Sequence, residues 1–477
     1  MTLAQFCLGG LVLVPLLAAA LAVYPRLGRA LGLGVAVIVP VLLAPVLIDA
    51  TRAPVELTLG GYDVPLGIAL RADGLSVLFL LLTAVVGGLV TLAARKERGF
   101  WPLWLGCWAG LNAVFLAGDL FNTYVGLEVV GLTAVGLVAL GGAEARVAAL
   151  RYLFVAVVGS LLFLLSVGLL VAVTGTLDIR QVGERAAAHP EVLSVALILA
   201  TVGLGMKLAL APMHGWLIPA HAAAPSPVSP LLSALVIKAA FFVLLRLWLW
   251  VATPELVAEL AVVTWVLAGA GVLAIVVGSV MALRQTHMKP LVAYSTVAQV
   301  GYFFLFFPLI PDADAIPGAL AGTLGLVLGH GIAKAALFLA AGYLKELYGT
   351  DEITRLHGVG RDHPGLILAM GLAAVGLAGM PLSLSFSGKW LLSTAAVSNG
   401  HYWLLGVVVL ATLLSAAYLL KVMGPLLIEE DTDGEVAQRT SLPAVALAPP
   451  LALGTVTLLA GFGGVWLTEL LEVGAPW

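Results

Sequence analysis

The sequence predicts an all-α polytopic membrane protein with about fourteen transmembrane helices, two inverted five-helix repeats and broken helices. Of its 477 residues, 61% are hydrophobic and only 10% are charged, whereas a soluble domain has about 25% charged residues. The mean hydropathy of +1.11 indicates that lipid surrounds most of the chain. A net charge of −3 offers no basic surface to nucleic acid, so nucleic-acid binding is excluded as a function class.

The cysteines and the ligand-forming residues exclude other function classes. The two cysteines, Cys7 and Cys107, both lie in apolar runs. Two thiols cannot supply a four-cysteine iron–sulfur site, and they give no disulfide framework. No grouping of His, Cys, Asp and Glu has the spacing of metal ligands. We therefore expect no metal or other cofactor, and no redox chemistry, in this chain.

Fourteen apolar runs are separated by charges and by Pro/Gly clusters. A membrane-spanning helix needs about 20 mostly apolar residues, and the runs are 18 to 31 residues long. The first run has the small residues of a signal peptide near Ala20, but Met1–Phe6 lacks the Lys or Arg that a signal peptide carries, so we predict a retained helix. The approximate cores of spans 1 to 14 are 4–23, 31–49, 74–94, 100–117, 120–141, 150–174, 192–211, 228–251, 258–283, 289–309, 317–344, 365–395, 402–425 and 442–468.

Lys and Arg in the loops predict the orientation. When each loop takes the number of the span before it, the odd loops carry 13 of these residues and the even loops carry 4. The positive-inside rule places the odd loops in the cytoplasm, so both termini are predicted on the outer side. Loop 13 is acidic around Glu429 to Glu435 and is interpreted as a solvated loop. The richness in Ala, Gly and Pro favours a bacterial source, and hence the inner (cell) membrane.

Several ionisable residues lie inside the apolar runs. A charge near the bilayer centre costs at least about 2.5–3.5 kcal/mol, so such residues face protein or water and are functional candidates. His330 lies four residues before Lys334, which puts both on one helix face. The candidates are Glu128, Lys207, Lys238, Arg246, His330, Lys334, Lys389 and Lys421.

Structural roles remain open for the same residues. Arg246 and Lys421 lie near span ends, where a long side chain can reach water, and Lys334 can do so less easily. Ion pairing without transport is the alternative for the deeper charges, and a hydrogen-bonded core histidine is the alternative for His330. The accessory candidates are Arg246, His214, His221 and Lys421.

Two spans contain a break beside a lysine. Lys207 lies about one turn before Pro212 in span 7, and Pro381, three serines and Gly388 precede Lys389 in span 12. Proline kinks a helix, and the freed backbone groups need protein or water around them. Breaks five spans apart predict two inverted five-helix repeats, as in transporters with midplane sites. The predicted segments are 1–95 (spans 1 to 3), 96–252 (spans 4 to 8), 253–425 (spans 9 to 13) and 426–477 (the acidic loop and span 14).

Six stretches together resemble the antiporter-like subunit family. They are RADGLSVLFL (71–80), GDLFNTYVGLEVVGL (118–132), GMKLALAPMHGWLIPAHAAAPSPVSPLLSALVIKAAFFVLLR (205–246), ALRQTHMKPLVAYSTVAQVGY (282–302), GHGIAKAALFLAAGYL (329–344) and SFSGKW (385–390). This family includes the D and A subunits of Mrp-type multisubunit cation/proton antiporters. It also includes the proton-pumping membrane subunits of NADH:quinone oxidoreductase and of group 4 hydrogenases. The resemblance covers about residues 70–425, and its long central block is the most specific part.

The resemblance implies fourteen helices with inverted five-helix repeats, and it implies residue roles. Glu128 matches the span 5 glutamate that pairs with the span 7 lysine, here Lys207. Lys238 matches the central lysine of span 8. His330 and Lys334 match the relay of span 11.

Lys389 matches the ionisable residue of span 12 at the exit of the second half-channel. The middle subunit of NADH dehydrogenase usually has a glutamate there, so Lys389 argues against that type. A chain that stops after span 14 also differs from subunits with a long lateral helix or extra domains. These features favour a D-type antiporter subunit or a relative in a hydrogenase or dehydrogenase.

We therefore expect a proton-translocating membrane subunit of a multisubunit Na⁺/H⁺ antiporter. The alternative is a proton-pumping membrane-arm subunit of a complex I-like NADH:quinone oxidoreductase or membrane-bound hydrogenase. In either case the expected partners are the bilayer and other membrane subunits of one complex. A scaffold that transports nothing has no reason to keep charges in lipid.

The hypothesis for the mechanism is a Glu/Lys/His relay. Glu128 favours the charged form of Lys207, so moving one partner switches the lysine between holding and releasing a proton. The relay continues through Lys238 and span 11 to Lys389, and water in two half-channels connects it to both sides. Sodium prefers several oxygen ligands, and Glu128 is the one carboxylate deep in the apolar runs. H⁺ is thus the ion expected here, and a Na⁺ path in another subunit stays open.

Overall fold

A bundle of apolar helices makes up the protein. The computed structural model describes residues 2–60, 62, 67–95, 99–428 and 442–476. Within these ranges, twelve helices are long and apolar enough to cross a membrane, as judged by length and composition. They are Leu3–Leu21, Gly28–Ala50, Gly74–Ala93, Leu120–Ala139, Ala143–Thr174, Pro190–Lys207, Val228–Val251, Ala261–Arg284, Met288–Leu309, Ile316–Tyr348, Tyr402–Leu427 and Val445–Leu471.

Two shorter apolar helices complete the predicted set. Phe100–Leu116 corresponds to span 4, and Pro364–Ala378 corresponds to the first half of span 12. Each of the fourteen predicted runs therefore overlaps a helix, and the prediction of an all-α polytopic membrane protein is confirmed. The acidic residues of loop 13, together with Lys96, Arg98 and Arg439, lie outside the described residues.

The helices begin where polar residues can cap them. Asp73 accepts a hydrogen bond from the backbone N–H of Ser76 at the start of span 3. Asp119 does the same for Asn122 at the start of span 5. A side-chain oxygen at this position satisfies one of the backbone donors that a helix start leaves unpaired. These two aspartates therefore define span ends, as their positions in the sequence indicate.

The two predicted breaks are present. Span 7 ends its first helix at Lys207 and resumes as a 3₁₀ turn at Met213–Trp216 and a helix at Leu217–Ala223. Span 12 stops at Ala378 and resumes as Leu384–Ser398. Each break holds a non-glycine residue with positive φ, Ala209 at 56° and Leu382 at 76°. This conformation is uncommon for residues with a side chain, so both breaks share the same kind of backbone distortion.

Span 8 contains two segments that are not regular α-helix, and neither segment contains a proline. Its α-helical part, Ile237–Arg246, lies between two π-helical segments, Leu232–Val236 and Leu247–Val251. Single π-helical turns are rare and often mark functional sites. The first of them ends two residues before Lys238.

Short elements cover the two faces of the bundle. A hairpin of β1 (Val55–Leu59) and β2 (Ile68–Ala72) pairs antiparallel in loop 2. The hairpin was not predicted and is a small addition to the helical fold. The short helices in the loops are Ile179–Ala186, Pro254–Glu259 and Val359–Asp362.

The loops gather on two opposite faces. One cavity touches loops 5, 7, 9 and 11, through residues 140–145, 222–226, 289 and 345–346. Another touches loops 2, 4 and 6, through residues 56–58, 69–71, 117–118 and 178–184. We call these the odd-loop face and the even-loop face. Their separation requires each intervening span to cross the bundle once.

Spans 8, 10 and 11 form the centre of the bundle. Every residue in the most apolar stretches of spans 8 and 11 is buried, and 89% of the corresponding stretch of span 10 is buried. Spans 1, 2, 13 and 14 are only 28–39% buried over the same length, as expected of helices that face lipid. Lys238, His330 and Lys334 therefore lie in the most buried part of the bundle.

Candidate functional site

Glu128 and Lys207 form an ion pair between spans 5 and 7. Lys207 Nζ lies 3.6 Å from Glu128 Oε1, and the side chains are 9% and 26% exposed. Ser160 of span 6 also donates a hydrogen bond to Glu128 Oε1. Lys207 is the last residue of its helix, where a positive charge favours the helix dipole. The break after Lys207 thus positions its ammonium group opposite the span 5 carboxylate.

Trp216 stabilises the break itself. Its indole Nε1 donates to the carbonyl of Met206 at 3.0 Å, and its ring stacks on Tyr152 of span 6 at 4.1 Å. Carbonyls at a helix end need a partner at membrane depth. The indole supplies that partner from within the same broken span.

Lys238 and His330 meet at the centre of the bundle. Lys238 Nζ contacts His330 Nδ1, and it also donates to the carbonyl of Ser233 in the π-helical turn. Both side chains are completely buried. His330 Nε2 has no hydrogen-bond partner among the described residues. The lysine therefore has an imidazole and a carbonyl as its neighbours, and no carboxylate.

Lys334 is also surrounded by neutral groups. Its Nζ donates to the carbonyl of Val292 at 2.7 Å and to the hydroxyl of Ser295, both in span 10. The side chain is fully buried, so it does not reach water at the membrane surface. The alternative in which Lys334 extends to the surface is therefore wrong.

His221 lies on the same side of the bundle as Lys334. Its ring stacks on Phe338 at 4.5 Å, one turn after Lys334. It is completely buried, and neither of its ring nitrogens has a partner in the described part of the chain. His221 therefore belongs with the central group, whereas His214 is only partly buried beside Tyr294.

Lys389 fills the break in span 12. Its Nζ donates to the carbonyl of Ala378, the last residue of the first half-helix, at 2.7 Å. It also donates to the hydroxyl of Thr412 in span 13 at 2.9 Å, and it lies 5.1 Å from the centre of the Tyr302 ring. A lysine that binds the carbonyl of a broken helix satisfies a backbone group at membrane depth.

Arg246 lies near the end of its span, as the sequence indicates, and is mostly buried in an ion pair there. Its guanidinium forms two hydrogen bonds of 2.6 Å with Asp73 and one of 2.9 Å with Ser76. It also stacks near the rings of Phe242 and Trp250. A fork-to-fork pair of this kind is among the stronger polar contacts, so Arg246 joins spans 8 and 3 at the even-loop face.

Lys421 has a capping role in this structure. Its Nζ donates to the carbonyls of Leu283 and Gln285, where span 9 ends. A cation at the last carbonyls of a helix satisfies unpaired acceptors and complements the dipole. These contacts account for Lys421 without a part in ion movement.

The candidates form separate groups, not one continuous chain of contacts. Within the described ranges, no hydrogen bond or ion pair joins Lys207 to Lys238, or Lys334 to Lys389. Sequence reasoning missed the neutral partners, among them Ser160, Ser295 and Thr412. Such residues are common in apolar helices, and only their spatial neighbours distinguish them.

Two cavities adjoin the candidates. The larger has a volume of about 660 Å³ and opens on the odd-loop face beside Lys289, Lys345 and Glu144. The other, of about 460 Å³, is mostly apolar and lies between spans 12 and 13 beside Lys389. The described residues contain no group of three or more His, Cys, Asp or Glu that could hold a metal ion.

Known proteins resemble this chain over nearly its whole length. The transmembrane family described as NADH:quinone oxidoreductase/Mrp antiporter matches residues 117–415. The N subunit of the NADH-quinone oxidoreductase of Desulforudis audaxviator is 32% identical, over 87% of this chain and 86% of that protein. The D-type subunit of the Na⁺/H⁺ antiporter of Bacillus subtilis is 27% identical, over 89% and 86%.

The fold has close counterparts among solved structures. A chain in the structure of the Mrp complex from Dietzia sp. DQ12-45-1b superposes with a TM-score of 0.89. The two chains are 26% identical, and the match covers 98% of this chain and 96% of the other. The family match includes five of the six stretches on which the sequence resemblance rests. The chain therefore belongs to the transmembrane family shared by NADH:quinone oxidoreductases and Mrp antiporters.

Proposed function

We propose that this chain is the proton-translocating membrane subunit of a multisubunit Na⁺/H⁺ antiporter. The observation that carries the proposal is the burial of Lys238 and Lys334 at the centre of the bundle with neutral partners only. Burial without a counter-charge is costly for a fixed charge. A side chain that exchanges its proton with a neighbour avoids holding that charge permanently, so these lysines suit proton transfer.

The proposed relay has four groups. They are the Glu128–Lys207 pair, the Lys238–His330 pair, Lys334 with Ser295, and Lys389 with Thr412. Water enters from the odd-loop cavity near His221, which we assign to the cytoplasmic side on the positive-inside rule. Movement of Glu128 relative to Lys207 changes the electrostatic field along the remaining groups. The charge on one pair thereby controls whether the central lysines take up or release a proton.

The inverted repeats remain part of this proposal, and the helix crossings support them. A Cβ on Gly203 would lie 2.4 Å from the carbonyl oxygen of Gly159, where spans 6 and 7 cross. A Cβ on Gly388 would lie 2.7 Å from the carbonyl oxygen of Gly322, where spans 11 and 12 cross. These spans correspond in the two repeats. Each repeat thus packs its broken span against the preceding span through a pair of glycines.

The carried ion in this chain is H⁺. Glu128 is the one carboxylate in the relay, and a sodium ion needs several oxygen ligands. We place the Na⁺ path in a partner subunit, and we propose that the other membrane subunits of the complex cover the partly exposed Glu128. A bare carboxylate facing lipid would be unfavourable.

A second candidate function is a proton-pumping subunit of a complex I-like oxidoreductase. The higher identity to the oxidoreductase N subunit, 32% against 27% for the D-type antiporter subunit, favours it. The relay would be the same, and the energy would come from redox partners.

One purification distinguishes the two functions. The tagged chain is extracted from its native membrane in mild detergent, and the co-purifying proteins are identified by mass spectrometry. We expect multi-spanning membrane proteins and no flavin or iron–sulfur protein. Everted vesicles containing the complex should then lose a respiration-generated pH gradient when Na⁺ is added. Co-purification of flavin or iron–sulfur subunits, with no Na⁺ response, would replace the antiporter by the redox alternative.

A further inference from the structure

Span 10 carries a line of buried polar side chains, and the relay above uses only the first of them, Ser295. Ser295, Gln299 and Tyr302 are spaced by four and three residues, which places them on one helix face. Ser295 is fully buried, Gln299 is 2% exposed and Tyr302 is 1% exposed. The first of them contacts Lys334, and the ring of the last lies beside Lys389. The line therefore begins and ends at relay lysines that do not touch one another.

Span 13 supplies hydroxyls to the middle of this line. Gln299 Nε2 donates to Ser415 Oγ at 3.2 Å and to Tyr418 OH at 3.1 Å. Tyr418 OH in turn lies 3.1 Å from Ser415 Oγ. Gln299 thus fixes the positions of two hydroxyls. An amide is a poor proton carrier, whereas a hydroxyl both donates and accepts.

The Tyr302 hydroxyl is the unexplained member of the group. It lies among the hydroxyls of Thr412 and Ser415, yet no described group stands in hydrogen-bonding geometry with it. A buried hydroxyl without a hydrogen-bond partner is unfavourable. Helix packing alone gives no reason to keep it, because phenylalanine would fill the same space.

We propose that protons pass between Lys334 and Lys389 along Ser295, the Ser415–Tyr418 hydroxyls and the Tyr302 hydroxyl. This inference rests on the proposed function. Tyr302 carries the proton next to Lys389, and Gln299 is a positioning residue. No hydrogen bond among the described residues joins Ser295 to Ser415, so the proposed path includes a water between these two hydroxyls.

In the proposed transfer, the Tyr302 phenol gains one proton and loses another. The phenol oxygen accepts a proton on a lone pair from the Ser415 side while its own proton moves to the neutral amine of Lys389. The phenol is unchanged at the end, and Lys389 gains one proton. Rotation of the hydroxyl then restores the starting state. The reverse sequence carries a proton in the other direction.

Tyr302→Phe is the direct test because it keeps the ring and removes one oxygen. The variant complex is purified through a tag on this chain and reconstituted in liposomes. Proton movement is followed with a pH-sensitive dye under a Na⁺ gradient, or with the electron donor if a redox complex co-purifies. We expect at least about a tenfold loss of rate, equal to about 1.4 kcal/mol in a barrier, with wild-type subunit composition.

Tyr343→Phe is the matched control. Tyr343 is also a buried tyrosine, and its hydroxyl contacts the carbonyl of Ala93 at 3.4 Å, away from the relay. We expect this variant to move protons at the wild-type rate. Equal losses in both variants would mean that the effect is on packing, and would overturn the inference.

A second measurement covers the case in which Tyr302→Phe does not assemble. A ring-fluorinated tyrosine at position 302 keeps the hydroxyl and makes it more acidic. The pH profile of transport should then shift toward acid, and an unchanged profile would overturn the inference. Gln299→Leu should slow transport, and Gln299→Asn, which keeps an amide, should recover part of the loss.

The same experiments distinguish a failure of this inference from a failure of the proposed function. If Tyr302→Phe transports normally while Glu128→Gln is impaired, the proposed function stands and the path through Tyr302 is wrong. If both variants transport at the wild-type rate, the relay itself is wrong and the inference falls with it.

Discussion

At the residue scale, the relay candidates differ in whether a counter-charge faces them. Lys207 faces Glu128, whereas Lys238, Lys334 and Lys389 face imidazole, hydroxyl or carbonyl groups. A lysine held by a carboxylate keeps its proton more firmly than one held by neutral groups. In the proposed relay, the ion pair therefore sets the charge state, and the other lysines respond to it.

Glu128→Gln should cripple ion movement while the complex still assembles. Glutamine keeps the size of the side chain and can still accept the hydrogen bond from Ser160, but it removes the counter-charge of Lys207. We expect the transport rate in reconstituted complex to fall at least about tenfold, which requires only about 1.4 kcal/mol in a barrier.

The matched control is Glu255→Gln, because Glu255 is exposed in a short loop helix. It should leave transport unchanged. Wild-type transport by Glu128→Gln would remove the pair from the mechanism.

The sequence predicted the charged candidates better than their partners. A charge in an apolar run stands out because it is costly there. A serine or tyrosine in the same run does not, and its partners lie far away in the chain. Gln299 meets Ser415 across 116 residues, and Arg246 meets Asp73 across 173. Only the fold shows that the neutral residues lie between the charged ones.

At the element scale, the breaks were predictable and the π-helical turns were not. Proline and glycine mark the breaks in spans 7 and 12, because each weakens the helix by a known mechanism. The π-helical turn Leu232–Val236 has no such residue. Its distortion accompanies the contact between Lys238 and the Ser233 carbonyl. The hairpin in loop 2 was also missed, because each strand has only five residues.

Gly322→Ala should destabilise the crossing of spans 11 and 12. A Cβ at Gly322 would lie 2.4 Å from the backbone nitrogen of Leu392 and 2.8 Å from the carbonyl oxygen of Gly388. Both are backbone atoms, so a whole helix must shift. Overpacking of this kind costs about 1–3 kcal/mol. We expect a lower melting temperature of the purified complex and a lower yield of it.

Gly318→Ala is the control for this crossing. It lies one turn earlier on span 11, and its added Cβ would meet the Ala395 side chain at an ordinary 3.5 Å. We expect wild-type melting. If Gly322→Ala also melted like the wild type, the close approach of the two helices would be wrong.

At the scale of the whole molecule, burial and charge are arranged along different directions. Burial increases from the outer spans to spans 8, 10 and 11, which brings the central lysines together. Positive charge is instead divided between the two faces. Ten of the thirteen Lys and Arg residues of the odd loops lie in the described ranges. All four of the Lys and Arg residues of the even loops lie there too. The first arrangement buries the proposed relay residues, and the second is the basis of the predicted orientation.

The orientation gives the last prediction, which cysteine labelling can check. The natural cysteines, Cys7 and Cys107, are both buried, so the background is low. Single cysteines are introduced on the odd-loop face at Arg26 or Glu144, and on the even-loop face at Thr58 or Glu191. All four positions are exposed.

A membrane-impermeant maleimide should label the Thr58→Cys and Glu191→Cys variants in intact cells, because the positive-inside rule puts the even-loop face outside. The Arg26→Cys and Glu144→Cys variants should be labelled only in everted vesicles. Two positions are used on each face because a partner subunit that covers one of them would prevent its labelling. The reverse pattern would place the cavity beside Lys289 and Lys345 on the outer side, and the proposed direction of proton entry would have to be inverted.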